Sequence, residues 1–478
     1  MVQHGVLYVV GTVFQRGLGL LLLPFVTRVL GVEEFGLAAT AAAVAALLAI
    51  VYGLGINFSI VRFFYDDPQD AARARWAALL RVQFLIAAGL AVVTYATGPL
   101  WASLFKDFGW NAALQASVLY GFALASQTTT QGVLRAARRP VAFVVTSLMQ
   151  VGIGGGLGIV LASSHGASGY VLGLTIGSLI ATATALFVTY RVPEWRRDTV
   201  TGGIRLGLPF MVHSLANWGL DLSTRLLVAG YLGLAAVGRY QVAFVVGSAL
   251  TLVLTSIQAA FAPFYIGELS ASERRITPPL LMLPVTTVAM CATILLVLLG
   301  PALLGVVAPA EFGGAELVVG LAAAGTLARA PYFVGAAVLL DQKRSGSLAR
   351  GSLSGAVLSV ALSVVLIPWI GVEGAAIATI AGIMVQATVV LRDVGRRLGE
   401  SMRLPVLLCV WVGGAGALAA VTQLPDEGLG LAVRILLGLV FLGGTVLSIR
   451  WLRDTFAAAR RAAADVASPE PEHPRPVS

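Results

Sequence analysis

Four polar residues follow one another at intervals of four within a single apolar stretch. They are His213, Asn217, Asp221 and Arg225. Because an α-helix repeats every 3.6 residues, this spacing places all four on one slowly turning face, where Asp221 and Arg225 can pair. Two interpretations stay open. The face is either the polar wall of a cavity with an ion-coupling carboxylate, or it holds a structural ion pair.

Two further arginines, Arg16 and Arg329, stand in the middle of apolar stretches without an acidic residue one turn away. A guanidinium presents a fork of donors that suits phosphate or carboxylate groups. With Arg225, these residues are candidates for binding an anion or a diphosphate inside a cavity. The alternative is a cross-helix pair with a carboxylate, which includes Asp221 itself.

A segment rich in hydroxyls and amides, "SQTTTQ" from Ser126 to Gln131, admits two roles as well. Such side chains hydrogen-bond sugars, but they also join helices inside membranes. We favour the second role. No complete nucleotide-binding or metal-binding motif occurs in the chain, so we predict neither a catalytic residue nor a cofactor.

The composition indicates what positions these residues. Apolar residues make up 58% of the chain and charged residues only 12%, against about 25% in soluble domains. The chain is therefore predicted to be an all-α polytopic membrane protein. We count fourteen apolar runs long enough to cross a bilayer, with cores at 5–27, 37–61, 77–100, 113–134, 141–162, 169–190, 206–231, 241–264, 279–304, 316–339, 350–368, 373–391, 404–424 and 429–450.

The basic residues predict the orientation of these spans. With the N-terminus in the cytoplasm, 25 of the 32 Lys and Arg residues fall in loops or tails on the cytoplasmic side. This bias is typical of cytoplasmic-membrane proteins. Both termini are predicted to be cytoplasmic. The net charge of +9 is then a topology signal, and no nucleic-acid partner is predicted.

A short phrase recurs half a chain apart. Leu30-Gly31 and Gly36 are repeated as Leu232-Gly233 and Gly238, always at an offset of 202 residues. The two copies fall between spans one and two and between spans seven and eight. We therefore expect two pseudo-symmetric six-helix halves, 1–200 and 201–400. An additional helix pair at 401–452 and a partly disordered tail at 453–478 would follow. The alternative is a common glycine turn that recurs by chance.

Three segments carry a family resemblance: "TRVLGVEEFG" from Thr27, "GLGINFSIVRFF" from Gly53, and the stretch from Arg205 to Phe244. They resemble the Wzx-type polysaccharide flippases of the multidrug/oligosaccharidyl-lipid/polysaccharide exporter superfamily. That family often has adjacent Asp and Arg in helix seven. Here Thr224 precedes Arg225, and the carboxylate lies one turn earlier.

The resemblance implies a transporter, not an enzyme. It would flip a lipid-linked oligosaccharide on a polyprenyl diphosphate from the inner to the outer leaflet by alternating access of the two halves. The partners would be that cargo, membrane lipids, a coupling proton or Na⁺, and polymerase or glycosyltransferase proteins of the same pathway. Alternatives are a drug/cation antiporter or a peptidoglycan-precursor flippase of the same superfamily and, from another class, a membrane glycosyltransferase or polymerase.

Overall fold

The computed structural model describes residues 2–66, 69–103, 109–189, 197–251, 254–255, 265, 271–342, 344–423 and 428–467. Some side chains within these ranges, that of Arg16 among them, lie outside the described part. So do residues 468–478 of the predicted tail, whose earlier part continues the last helix. The regular elements in the described ranges are all helices, as the all-α class predicted.

Fifteen α-helices are described, and we number them in chain order. They are α1 (Val2–Gly53), α2 (Ile56–Asp66), α3 (Gln69–Ala96), α4 (Gly98–Ala102), α5 (Ala112–Ala136), α6 (Pro140–Thr189), α7 (Arg197–Asp221), α8 (Ser223–Leu232), α9 (Leu234–Gly247), α10 (Ala271–Leu298), α11 (Gly300–Val307), α12 (Glu316–Asp341), α13 (Ser345–Leu398), α14 (Leu404–Thr422) and α15 (Gly428–Ala467).

Three of these helices are too long to cross a bilayer once. The 52 residues of α1 would extend about 78 Å if straight, against about 30 Å for the hydrocarbon core. Each of the three is interrupted by a glycine with positive φ: Gly31 in α1, Gly166 in α6 and Gly371 in α13. Because a positive φ is costly for other residues, these glycines divide each helix into a two-span hairpin.

Because each hairpin contains two spans, the number of helices is compatible with the larger number of predicted spans. Eight helices are long and apolar enough to cross a membrane, and three of these are the hairpins. The other predicted spans correspond to α5, to α7 together with α8, and to α9. In the eighth span, only the part up to Gly247 and a few later residues are described. The described helices thus match thirteen of the fourteen predicted spans and the first part of the eighth.

The helices pack in two groups. In the first half, α1, α5 and α6 pack on one another; in the second, α13 packs on α7 and α12. The last two helices both join the second half, because α14 lies against α12 and α15 lies against α10. The two helices predicted as an additional pair thus pack on the second half.

The two copies of the repeated phrase share a backbone conformation at their first glycine. Gly31 has φ 67° and ψ 176°, and Gly233 has φ 83° and ψ 173°. The second glycine of each copy packs on the other copy: a Cβ on Gly36 would overlap the carbonyl oxygen of Leu234, and one on Gly238 would overlap that of Val32. The two phrases therefore close one end of the contact between the halves, which we call the repeat end.

The halves also meet at the opposite end, between α2 and α7. A Cβ on Gly55 would overlap the carbonyl oxygen of Gly207. The Ser59 hydroxyl donates to the carbonyl of Gly203 at 2.7 Å, and the Phe58 and Phe210 rings stack with centroids 4.7 Å apart. The two halves are thus in contact at both ends.

The close packing at the repeat end predicts a stability loss on substituting Gly36. We expect Gly36→Ala to lower the melting temperature of the purified protein, because the new methyl group has to displace the backbone at Leu234. Overpacking of this kind costs about 1–3 kcal/mol. Gly230→Ala is the matched control, since a Cβ there meets nothing within 4 Å. Equal melting temperatures for the two variants would contradict the reciprocal contact.

Candidate functional site

A cavity of about 360 Å³ lies between the two halves. The second arm of α1, the start of α2 and the middle of α5 line it from the first half, and α7 lines it from the second. Its wall is mostly apolar. The polar side chains that line it are those of Asn57, Thr128, Thr129, Ser214, Asn217 and Asp221.

The charged group on this wall is Asp221, which forms an ion pair with Arg329 of α12. The Asp221 side chain is 37% exposed, and that of Arg329 is 18% exposed. Of the interpretations that the sequence left open for Arg329, the cross-helix pair with Asp221 is therefore the one observed. Removing either partner would leave a charge in a mostly apolar setting, which is strongly unfavourable.

The expected pairing of Asp221 with Arg225 is replaced by this contact, and the backbone gives the reason. The helix breaks at Leu222, which has φ −121°, so α7 ends at Asp221 and α8 begins at Ser223. The i,i+4 geometry of a continuous helix is lost across such a break. The break also places the carboxylate at a helix end inside the membrane region, where transporters commonly build binding sites.

The other arginine candidates are less well defined by contacts. Arg225 is half-buried, and its Nε is buried without a hydrogen-bond partner in the described part of the chain. It remains available in this conformation for another acceptor. The side chain of Arg16 lies outside the described residues, so its predicted role stays a prediction.

A buried polar network continues from the cavity wall into the second half. The Asn217 amide donates to Nε2 of His213 at 3.1 Å, with the ring tautomer assigned from this bond. The Asn217 Oδ1 accepts from the hydroxyl of Ser352 at 3.2 Å and from Nε2 of Gln386 at 3.1 Å. Gln386 also donates to Ser352 at 2.9 Å. The network therefore ties α7 to both arms of α13.

A matching network joins the helices of the first half. Nε2 of Gln15 and of Gln127 donate to Oε1 of Gln150, at 2.9 and 2.7 Å. Gln15 and Gln150 are 135 residues apart, as are Asn217 and Ser352. The repeat offset of 202 residues relates the two pairs. The residues at these equivalent positions are thus hydrogen-bonded in both halves, with Gln15 donating in the first half and Asn217 accepting in the second.

The sequence analysis did not identify Gln15, Gln150, Ser352 or Gln386. Extending the 202-residue offset beyond the glycine phrase would have found the first three, since it aligns Gln15 with Asn217 and Gln150 with Ser352. The helix-joining role favoured for "SQTTTQ" fits Gln127, and also Gln131, which donates to Ser147 at 3.1 Å. Thr128 and Thr129 line the cavity from the same segment.

The arrangement supplies binding groups of several kinds. Guanidinium, carboxylate, amide and hydroxyl groups lie on or just behind a cavity wall between two halves. Groups of three His, Cys, Asp or Glu side chains that could hold a metal ion are not found among the described residues. Such a site can bind and orient a polar group inside a membrane.

Comparisons with known proteins agree with this picture. Residues 1–266 match the family model described as polysaccharide biosynthesis protein. The chain is 25% identical over 304 residues to the succinoglycan biosynthesis transport protein ExoT of Rhizobium meliloti (strain 1021). The match covers 62% of this chain and 58% of that relative's length.

Solved structures share the fold. The lipid II flippase MurJ in an inward closed conformation has a TM-score of 0.70 at 16% identity, covering 94% of this chain and 99% of that one. An inward-facing multidrug resistance MATE family transporter of the MOP superfamily has a TM-score of 0.63 at 16% identity, covering 81% and 95%. With more than half of its residues matching the family model, this multi-pass membrane protein belongs to the polysaccharide biosynthesis protein family, and it shares the fold of these solved structures.

Proposed function

We propose that the protein flips a lipid-linked oligosaccharide, carried on a polyprenyl diphosphate, from the inner to the outer leaflet of the cytoplasmic membrane. The observation that carries this proposal is the Asp221–Arg329 pair beside the cavity between the halves. The pair holds a guanidinium beside the cavity, where it could bind an anionic group once Asp221 is neutralised. The family match and the relative named for succinoglycan transport support a glycan cargo.

The physical problem of such a cargo explains the residues required. A diphosphate headgroup loses its hydration when it enters an apolar layer, and guanidinium groups replace that hydration with charge-assisted hydrogen bonds. Arg329, Arg225 and Arg16 are the proposed binding residues. Hydroxyl and amide groups such as Thr128 and Asn217 are suited to the sugars. The hydrocarbon chain can remain in the bilayer.

Alternating access is the proposed mechanism, with residues 1–200 and 201–400 as the moving halves. The halves are in contact at the repeat end and at the opposite end. A cavity of about 360 Å³ is at the low end of the range for drug-sized ligands, about 300–1,000 Å³. A lipid-linked oligosaccharide would therefore require the halves to separate at one end. Separation at each end in turn would carry the cargo across.

Ion binding to Asp221 would control whether Arg329 is free to bind the diphosphate. In the observed state its carboxylate holds Arg329. A coupling proton or Na⁺ on Asp221 would release the guanidinium to the diphosphate, and the loss of that ion would restore the pair. Asn217 and His213 would hold the carboxylate's helix in place through the amide network.

The alternatives differ in what they need from the cavity. A drug/cation antiporter needs a carboxylate free to meet a cation, whereas Asp221 is paired with Arg329. A peptidoglycan-precursor flippase would use the same groups on another glycan, and the likeness to a lipid II flippase fold favours it as the second candidate. The named relatives are transporters, so we place a membrane glycosyltransferase or polymerase last.

Deleting the gene tests the cargo class. We expect a lipid-linked glycan to accumulate on the inner leaflet and one surface polysaccharide to be lost. Fractionation of the lipid-linked glycans, with surface staining of the same cells, measures both effects. Restoring the wild-type gene is the control. Normal surface glycans together with a new sensitivity to cationic drugs would contradict the proposal and favour the antiporter.

Neutralising the ion pair tests whether Arg329 binds cargo. We expect Arg329→Gln to lower polysaccharide export at least about tenfold, since a hydrogen bond to a charged group contributes about 1.5–3 kcal/mol. The double variant Asp221→Asn/Arg329→Gln removes both charges and should remain equally impaired. Export is measured in cells with matched amounts of protein in the membrane. Recovery of export in the double variant would show instead that the pair is purely structural.

Arg16→Ala extends the same test to the first half. We expect export to fall although the protein level stays normal, because Arg16 is a proposed binding residue. Arg453→Gln is a suitable control, since that side chain is 82% exposed near the end of α15. Full export in both Arg16→Ala and Arg329→Ala would rule out an anion-binding cavity.

A further inference from the structure

A second concentration of charge lies outside the cavity, where the two arms of α13 meet at their free ends. Residues 347, 350, 353 and 354 on the first arm face residues 389, 392, 393 and 396 on the second, with spacings of three and four residues that place each set on one helical face. Between the arms lies a pocket of about 380 Å³. We call it the arginine pocket.

The pocket is strongly basic. Arg350, Arg392 and Arg396 line it, and a neighbouring pocket of about 430 Å³ shares Ser347 and Arg350 and adds Arg344 and Arg397. Five guanidinium groups therefore surround one carboxylate, that of Asp393. Like charges this close repel one another, so the cluster favours binding of an anion.

The carboxylate does not neutralise the cluster. Asp393 accepts from Nε of Arg397 at 3.0 Å. Burial raises the pKa of the Asp393 carboxyl, but hydrogen bonds from Ser347 and Arg397, with the charges of Arg397 and Arg350, outweigh that effect and hold the pKa below its usual value. Asp393 is thus ionised and paired at neutral pH. Arg350 contributes only its charge to this pair, and none of the other four arginines lies within ion-pair distance of a carboxylate in the described ranges.

The pocket is also polarised along the helix axis. Leu353 and Val389 line its membrane side, whereas Arg344, Arg396 and Arg397 lie toward the loop. Exposed apolar side chains continue the face of the first arm into the membrane. Leu353 is 51% exposed and Val357 is 61% exposed, and Val364 follows at the same helical register. The basic pocket and the exposed apolar side chains next to it therefore complement the two parts of an anionic lipid, its charged headgroup and its hydrocarbon chain.

We propose that the arginine pocket binds the phosphate headgroup of a lipid in the leaflet that the charge bias assigns to the cytoplasm, with the lipid's hydrocarbon chain along the exposed face of Leu353 and Val357. Basic pockets between membrane helices on this side commonly recognise such headgroups. The first turn of α13, at Gly346 and Ser347, adds the positive end of a helix dipole. This site is separate from the inter-half cavity and does not depend on the cargo assigned there.

The test measures lipid binding by the full-length protein purified in neutral detergent. Thermal stability is titrated with phosphatidylglycerol, with polyprenyl diphosphate, with phosphatidylcholine and with inorganic phosphate. Four proteins are compared: wild type, Arg350→Gln/Arg396→Gln, Arg350→Lys/Arg396→Lys and Arg450→Gln/Arg453→Gln. The last double variant is the matched control, because it removes two exposed arginines from the same membrane face outside the pocket.

We expect one or both anionic lipids to stabilise the wild type and phosphatidylcholine to have no effect. The variant Arg350→Gln/Arg396→Gln should bind the anionic lipid at least about tenfold more weakly than the wild type does. One to two basic residues at a membrane surface contribute roughly a tenfold effect on affinity. The lysine pair should be intermediate, since it keeps the charge but loses the bidentate geometry. The control should bind like the wild type.

The lipid that responds identifies the source of the phosphate. A response to phosphatidylglycerol assigns the site to a bulk lipid, and a response to polyprenyl diphosphate alone assigns it to a prenyl carrier. Equal binding by the wild type and the pocket glutamine variant would overturn the proposal. An equal loss in the control variant would also overturn it, and so would stabilisation by inorganic phosphate as strong as that by lipid.

Discussion

The cost of placing charge inside a membrane is the constraint on which this structure depends. Asp221 and Arg329 stand on different helices in the membrane region, and each would be strongly unfavourable alone. Their contact is made where α7 gives way to α8, so the break in the helix and the ion pair belong to one local arrangement. α12 carries the arginine, and the cavity beside the pair lies between the two halves.

Networks of amide hydrogen bonds fix the orientation of the helices that carry these residues. Asn217 lies one turn before Asp221 and receives two hydrogen bonds from α13, so the helix that carries the carboxylate cannot turn without breaking them. Buried amides of this kind are favourable only when their partners are in place. The Gln15–Gln150 bond does the same for the first arm of α1. Side-chain hydrogen bonds between helices therefore stabilise the packing within each half.

Much of this organisation could be predicted from the sequence because membranes impose a simple pattern. Apolar run lengths predicted the spans, and a constant offset between glycines predicted the two halves. The partner of Asp221 could not be chosen in the same way. The i,i+4 rule favoured Arg225, but that rule assumes an unbroken helix, and neither Leu222 nor its two chain neighbours is a proline or a glycine. Contacts between distant helices, such as Gln386 with Asn217, likewise have no local signal.

The hydrogen-bonded pairs at a 135-residue separation have a consequence for the origin of the fold. Two halves that keep a bonded pair at equivalent positions are what a duplicated ancestral bundle would leave behind. The same offset aligns Gln127 of the first half with Arg329 of the second, a neutral amide against a charged guanidinium. Divergence at this position, and at Gly19 opposite Asp221, means that the charged pair beside the cavity belongs to the second half alone.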